Sequence, residues 1–146
     1  PGPDSVSLTE AALLARSYQF IPVDEPMDKE FFYILGMNVD KVGNASSWVF
    51  GIRHNNATYL LTYDKAGWEN IRWNGTFPER ELEINRTVPL DRVFQDNQDL
   101  LVQAALPVRQ VELIDTSYYI SLSNKTTSRS YTFDAVTGAL IQSHEE

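Results

Sequence analysis

The sequence predicts an α+β fold of two repeats, each a helix followed by an antiparallel meander of four strands, with the helices packed on the sheet. A strand–turn–strand pattern occupies residues 131–141, and a weaker copy lies about 70 residues earlier. Strand-like runs follow one another without intervening helices, which disfavours a doubly wound parallel sheet. The turn residues of the two copies are Asp134, Thr137 and Gly138, and Asp64 and Gly67.

The first repeat is predicted over residues 1–75. Ser7 followed by Glu10 matches a capping box, and apolar residues then recur at helical spacing, so we expect helix one at about residues 7–19. A proline-interrupted linker at 20–30 follows. The four predicted strands are 31–40, 47–54, 57–64 and 68–73.

A charged connector at residues 76–88 leads to the second repeat, predicted over 89–146. Apolar residues on one stripe predict helix two at 90–105, and Pro107 ends it. The four predicted strands are 109–114, 117–123, 130–135 and 139–143. We expect both repeats to share one compact unit.

The amino-acid composition argues against several classes of function. The 146 residues are 42% hydrophobic and carry a formal net charge of −8, which argues against binding to nucleic acid or to an anionic membrane. No apolar run is long enough to span a bilayer. There are no cysteines, which excludes disulfides, thiol catalysis and cysteine-ligated metals. Because the chain begins with proline, we expect that a signal or anchor has been removed.

Glycosylation sequons point to an exported protein. The acceptor pattern occurs at Asn44, Asn56, Asn74, Asn85 and Asn124, whereas composition would give about one by chance. The alternative is an enrichment of Asn and Thr in turns and strands. We expect an extracellular or cell-envelope protein, with an archaeal surface favoured because N-glycosylation is common there.

The turn of the second copy has a structural explanation. Asp134 and Thr137 can accept hydrogen bonds from backbone N–H groups across the turn, and Gly138 can adopt the positive φ that returns the chain to its strand. We therefore expect an architectural role for these residues. Gly138→Ala should lower stability.

This closing hairpin resembles that of the PepSY domain family. The residues that fit the family pattern are Tyr131, Phe133, Asp134, Thr137, Gly138, Leu140 and Ile141. In the first copy only Tyr63, Asp64 and Gly67 match, with a spacer one residue shorter and no Thr. PepSY domains are small extracytoplasmic units found in propeptides of thermolysin-like metalloproteases and in stand-alone envelope proteins. The resemblance implies a module that binds a protease and holds it inactive.

Signals of catalysis are weak. His54 and His144 lack a histidine partner at metal-ligand spacing, and no nucleophile, phosphate-binding or zinc-protease motif occurs. Four acids near the linker lack the pattern of a calcium loop: Asp24, Glu25, Asp28 and Glu30. We predict a chain that is not an enzyme and holds no cofactor or metal.

The tryptophans are the remaining candidates for a contact surface. Trp68 and Trp73 are five residues apart, so a regular strand would place them on opposite faces and expose at least one. An exposed aromatic side chain on a sheet can bind a sugar or peptide. Packing in the core is the alternative use.

Three functions follow from these observations. The first is a non-catalytic extracellular module that binds a protein or peptide and regulates or inhibits a secreted protease, with an edge strand as one possible contact. The second is a structural or interaction component of the cell surface. The third and most remote is a hydrolase, including one acting on carbohydrate. Neither the partner nor the oligomeric state can be predicted from the sequence.

Overall fold

The computed structural model describes residues 5–18, 29–54 and 57–145. Its strands form one eight-stranded antiparallel sheet in the order β4-β3-β2-β1-β5-β6-β7-β8. The strands are β1 (Glu30–Val39), β2 (Ala45–His54), β3 (Ala57–Asp64), β4 (Gly67–Arg72), β5 (Val108–Ile114), β6 (Ser117–Ser123), β7 (Ser128–Asp134) and β8 (Leu140–Glu145). The helices are α1 (Leu8–Ser17), α2 (Leu90–Asp96) and α3 (Gln98–Leu101), with a 3-10 turn at Ile84–Arg86.

The prediction of an α+β fold built from two helix-plus-meander repeats is wrong. The protein is mostly one β-sheet, made continuous by the pairing of β1 with β5, and the helices of the described residues are few and short. The predicted helix at 90–105 divides at Asn97, where the backbone leaves the helical region and the side chain donates to Val93 O. Asparagine side chains compete with helical backbone bonding in this way, so only segments of seven and four residues form.

The pairing of β1 with β5 defines the middle of the sheet. The paired residues are Ile34 with Leu113, Leu35 with Glu112, Gly36 with Val111 and Met37 with Gln110. Because β1 and β5 are each the fourth strand from an edge, Leu35 and Glu112 lie near its centre.

One face of the sheet, which we call the covered face, carries the core. Trp48, Phe50 and Tyr118 are completely buried there. The Trp48 ring lies against Gly36, where a Cβ would come within 2.7 Å of the indole. The buried helical residues complete the same core cluster: Leu8, Ala11, Ala12 and Ala15 of α1, Leu90, Val93 and Phe94 of α2, and Leu101 of α3. None of the described helices combines the length and the apolar composition that a membrane span requires.

Candidate functional site

The opposite face, which we call the open face, carries the side chains that alternate with the buried ones. On β1, for example, Leu35 lies between the buried Ile34 and Gly36. The core cluster that includes the helices contains none of these alternate side chains. In the β1–β4 half the open face is largely apolar, with Leu35, Met37, Val49, Leu60 and Ile71. In the β5–β8 half it is largely polar, with Gln110, Ser121, Ser130, Thr132 and Gln142.

Glu112 lies where these two halves meet. It is opposite Leu35 on β1 and Tyr119 on β6. The hydroxyl of Tyr33 donates a hydrogen bond of 2.5 Å to Glu112 Oε2. Burial, together with this bond and the charge of Glu112, raises the pKa of Tyr33. Tyr33 therefore remains a proton donor that fixes the Glu112 carboxylate.

The other charged residues of the open face lie away from its centre. At one end of the sheet Arg53 Nε donates a hydrogen bond of 2.8 Å to Glu30 Oε1. This bond and the negative charge of Glu30 raise the pKa of Arg53. Glu69 belongs to the edge strand β4. In the described residues, Glu112 is thus the charged group in the middle of this face.

An aromatic segment, residues 73–79, crosses the end of the open face beside β2 and β3, and we call it the strap. The Phe77 ring stacks between Trp73 and Phe32, with centroid separations of 6.4 and 6.3 Å. The Arg53 guanidinium lies 4.9 Å from the centre of the Phe32 ring. Phe77 lies so close to Gly51 that a Cβ there would approach its ring to 2.8 Å. The strap borders an open groove of about 450 Å³, which Phe32, Arg53 and Thr58 also line.

The two tryptophans proposed for surface contact occupy different environments. Trp68 is half-buried against Tyr18, Tyr63 and Phe50 on the covered face. Trp73 is 36% exposed. One side of its ring meets Phe77, and Gly75 is close enough that an added Cβ would lie 2.5 Å from the indole. Trp73 therefore contributes to the strap, and its use as a contact for a ligand stays a prediction.

The turn of the second copy, at Asp134 to Gly138, has the hydrogen bonds that the sequence predicts. Asp134 Oδ1 accepts hydrogen bonds from Val136 N and Thr137 N, at 2.8 and 3.1 Å, and Thr137 Oγ1 accepts one from Ala139 N. Gly138 has φ +82°.

The first copy of the turn repeats part of this arrangement. Asp64 Oδ1 accepts a hydrogen bond from Ala66 N at 2.8 Å, and Gly67 has φ +116°. The two turns belong to opposite edges of the sheet, and β3 and β7 run in opposite directions, so they do not form a common site.

The sequons differ in their surroundings. Asn74, Asn85 and Asn124 are exposed, and Asn44 is half-buried. Asn124 Nδ2, the atom that a glycan would modify, donates to Ala105 O at 2.8 Å. Asn56 lies outside the described residues. Glycosylation stays a prediction, with Asn74 and Asn85 the most accessible sites among those described.

The structure does not bring the histidines together. His54 is buried on β2 and His144 is exposed on β8, with four strands between them. In the described residues no group of three or more His, Asp or Glu side chains is placed to hold a metal ion. Of the linker acids only Glu30 is described; Asp24, Glu25 and Asp28 lie outside the described residues. The absence of catalysis, cofactor and metal stays a prediction.

Sequence reasoning missed Tyr33, Leu35 and Glu112 as site residues. The alternating apolar pattern of β1 carried a signal for Leu35, since strand alternation separates it from its buried neighbours. Nothing local indicates that Glu112 lies beside β1, because the two strands are far apart in sequence.

Comparisons with known proteins support the fold only. No family model matches the chain, and no curated protein matches it at a significant level. A solved structure of a putative lipoprotein from Clostridium difficile 630 is similar, with a TM-score of 0.64 and 12% sequence identity, over 97% of this chain and 93% of that one. At this identity, the chain is similar to that lipoprotein in fold.

Proposed function

We propose that this chain is a non-catalytic binding domain of the cell envelope, and that its open sheet face binds a protein or peptide partner. The observation that carries the proposal is the half-exposed apolar surface of β1 to β4, which lies on the side of the sheet away from the core cluster. Contiguous apolar surface of this kind is typical of interaction sites.

Two observations support a location at the envelope. The solved structure of similar fold is that of a putative lipoprotein. The sequence has five sequons, of which Asn74, Asn85 and Asn124 are exposed. A structural or interaction role at the surface is the broader form of this proposal.

Regulation of a secreted protease is the narrower form. It is supported by the resemblance of the closing hairpin to PepSY domains, which in propeptides hold proteases inactive. The edge strands β4 and β8 supply a second possible contact, because an extended peptide can pair with an unpaired strand edge.

The test is capture of partners from the envelope fraction and culture fluid of the source organism. We would compare the native chain with Leu60→Gln, which makes the centre of the apolar half polar without adding charge. The matched control is Leu13→Gln, a residue of α1 that is 64% exposed. We expect Leu60→Gln to weaken binding of the captured partner about tenfold, or ~1.4 kcal/mol, while the control binds normally.

Equal binding by both variants would contradict the use of the open face. If a secreted protease is captured, its rate is measured with and without the native chain. Inhibition supports the narrower form, whereas digestion of the chain without inhibition rules it out.

A further inference from the structure

We infer that the partner of the open face is a positively charged segment of protein, with a Lys or Arg side chain placed at Glu112 between Tyr33 and Tyr119. This inference rests on the proposed function, since it names the chemistry of the partner that the open face binds. It is drawn from the placement of Glu112 at the centre of that face, where its neighbours across the strands are Leu35 and Tyr119.

The charge of Glu112 is available to a partner. Glu30 and Arg53 neutralise each other at one end of the face, and Glu69 lies at its edge. The structure shows Tyr33 donating one hydrogen bond to Glu112 Oε2, and an ionised carboxylate can accept about four bonds. The carboxylate therefore has capacity for a cationic donor.

The neighbours of Glu112 suit a long cationic side chain. Tyr119 is 41% exposed and lies directly opposite Glu112 on β6, and Tyr33 is half-buried on its other side. Aromatic rings attract ammonium and guanidinium groups. Leu35 and Val49, which are adjacent on β1 and β2, offer apolar surface for the methylene groups of Lys or Arg.

A second copy of the chain is a poor occupant of the same surface. Two copies stacked through their open faces about an axis at the centre would bring two Glu112 carboxylates together without a cation. Each copy also carries a formal net charge of −8, so association in this manner is opposed by repulsion. A basic segment has the complementary charge.

The experiment uses an acetylated and amidated eight-residue peptide of alternating Lys and Leu as the probe. Binding to the full chain is measured by calorimetry and mapped by NMR. We expect perturbations at Leu35, Val49 and Tyr119, and affinity that falls as salt is added. Glu112→Gln should weaken binding about tenfold.

Glu10→Gln is the matched control, because it removes the same charge from an exposed residue of α1. It should bind the peptide as the native chain does. Equal weakening by the two variants would mean general attraction to an acidic protein and would overturn the inference. If Glu112→Gln does not fold, Tyr119→Ala provides the second test: it should weaken binding at least threefold, and unchanged affinity overturns the inference.

The two proposals can fail separately. If the native chain does not bind the Lys–Leu peptide, the inference of a basic partner is overturned. Loss of envelope-partner binding in Leu60→Gln would still support binding at the open face. Equal partner binding by Leu60→Gln and Leu13→Gln overturns the proposed function itself.

Discussion

At the scale of single residues, backbone conformation explains the closing hairpin. Asp134 accepts two backbone hydrogen bonds, and Gly138 N donates to Asp134 O at 2.7 Å. Gly138 reaches this position with φ +82°, a region that side chains with a Cβ disfavour. Every residue of the Asp-x-x-Thr-Gly signature thus has a local structural task.

We expect Gly138→Ala to destabilise the protein by about 1 kcal/mol through backbone strain. A Cβ would meet nothing closer than Val88 at 3.7 Å, so steric overlap adds little. The melting temperature should fall by roughly 2–4 °C. Val136→Ala, an exposed position in the same turn, is the control and should change it less. A melting temperature unaffected by Gly138→Ala would show that the turn relaxes without strain.

Residue patterns predicted the turns better than the candidate site. The Asp134 side chain and the Gly138 N–H group form hydrogen bonds with residues at most four positions away, so the local sequence is enough to predict them. Glu112, by contrast, accepts a hydrogen bond from Tyr33, which is 79 residues away in the chain. Such a contact depends on which strands pair, and strand pairing cannot be predicted from a local sequence pattern.

At the scale of elements, Lys29 ties α1 to the start of β1. Its ammonium group donates to Arg16 O at 2.7 Å and to Tyr18 O, at the C-terminal end of the helix. A cation at this end also interacts favourably with the helix dipole. Lys29 is only 8% exposed, and burial, aided by the charge of Arg16, lowers its pKa.

We expect Lys29→Met to destabilise the protein by about 2 kcal/mol, because the helix carbonyls lose a charged donor. Urea unfolding would measure the loss, and faster amide exchange in α1 would locate it. Lys41→Met, at an exposed lysine, should leave both unchanged. Loss of stability without faster exchange in α1 would contradict the proposed link between helix and strand.

Local alternation predicted where strands lie more successfully than it predicted the fold class. The predicted strand at 31–40 corresponds to β1 at Glu30–Val39, whereas the long second helix does not form. Helical spacing was present around Asn97, but at Asn97 the backbone leaves the helical region and the side chain donates to Val93 O. The α+β prediction failed because it weighted this spacing too heavily and because the pairing of β1 with β5 is non-local.

At the scale of the whole molecule, a single sheet with the described helices on one side leaves the other face outside the core cluster. The covered face buries Trp48, Phe50 and Tyr118 and supplies the stability of the fold. The open face is therefore free to vary in chemistry without loss of that core. Composition and hydropathy describe the chain as a whole, so they do not single out Glu112, the residue that we propose contacts a partner.

The free energy of unfolding at alkaline pH depends on Tyr118, a tyrosine in the core of the covered face. Tyr118 is completely buried, and its hydroxyl donates to Val88 O at 2.7 Å. Burial, opposed by a hydrogen bond with Thr87 and assisted by the charge of Asp91, raises its pKa from 10.0 to about 12. The folded state therefore keeps a proton that the unfolded state loses above its own pKa. Stability from this group is complete below pH 10 and is lost as the pH rises towards 12.

We expect ionisation of Tyr118 in the unfolded state to remove about 1 kcal/mol of stability between about pH 9 and about pH 11. Tyr33 adds loss of the same sign, since its pKa is also raised, whereas the lowered pKa of Lys29 acts in the opposite direction. Urea unfolding of the native chain and Tyr118→Phe at both pH values isolates the Tyr118 contribution. The variant should lose less stability over this interval. Equal losses would mean that the Tyr118 hydroxyl reaches solvent in the folded protein, so that the covered face opens without global unfolding.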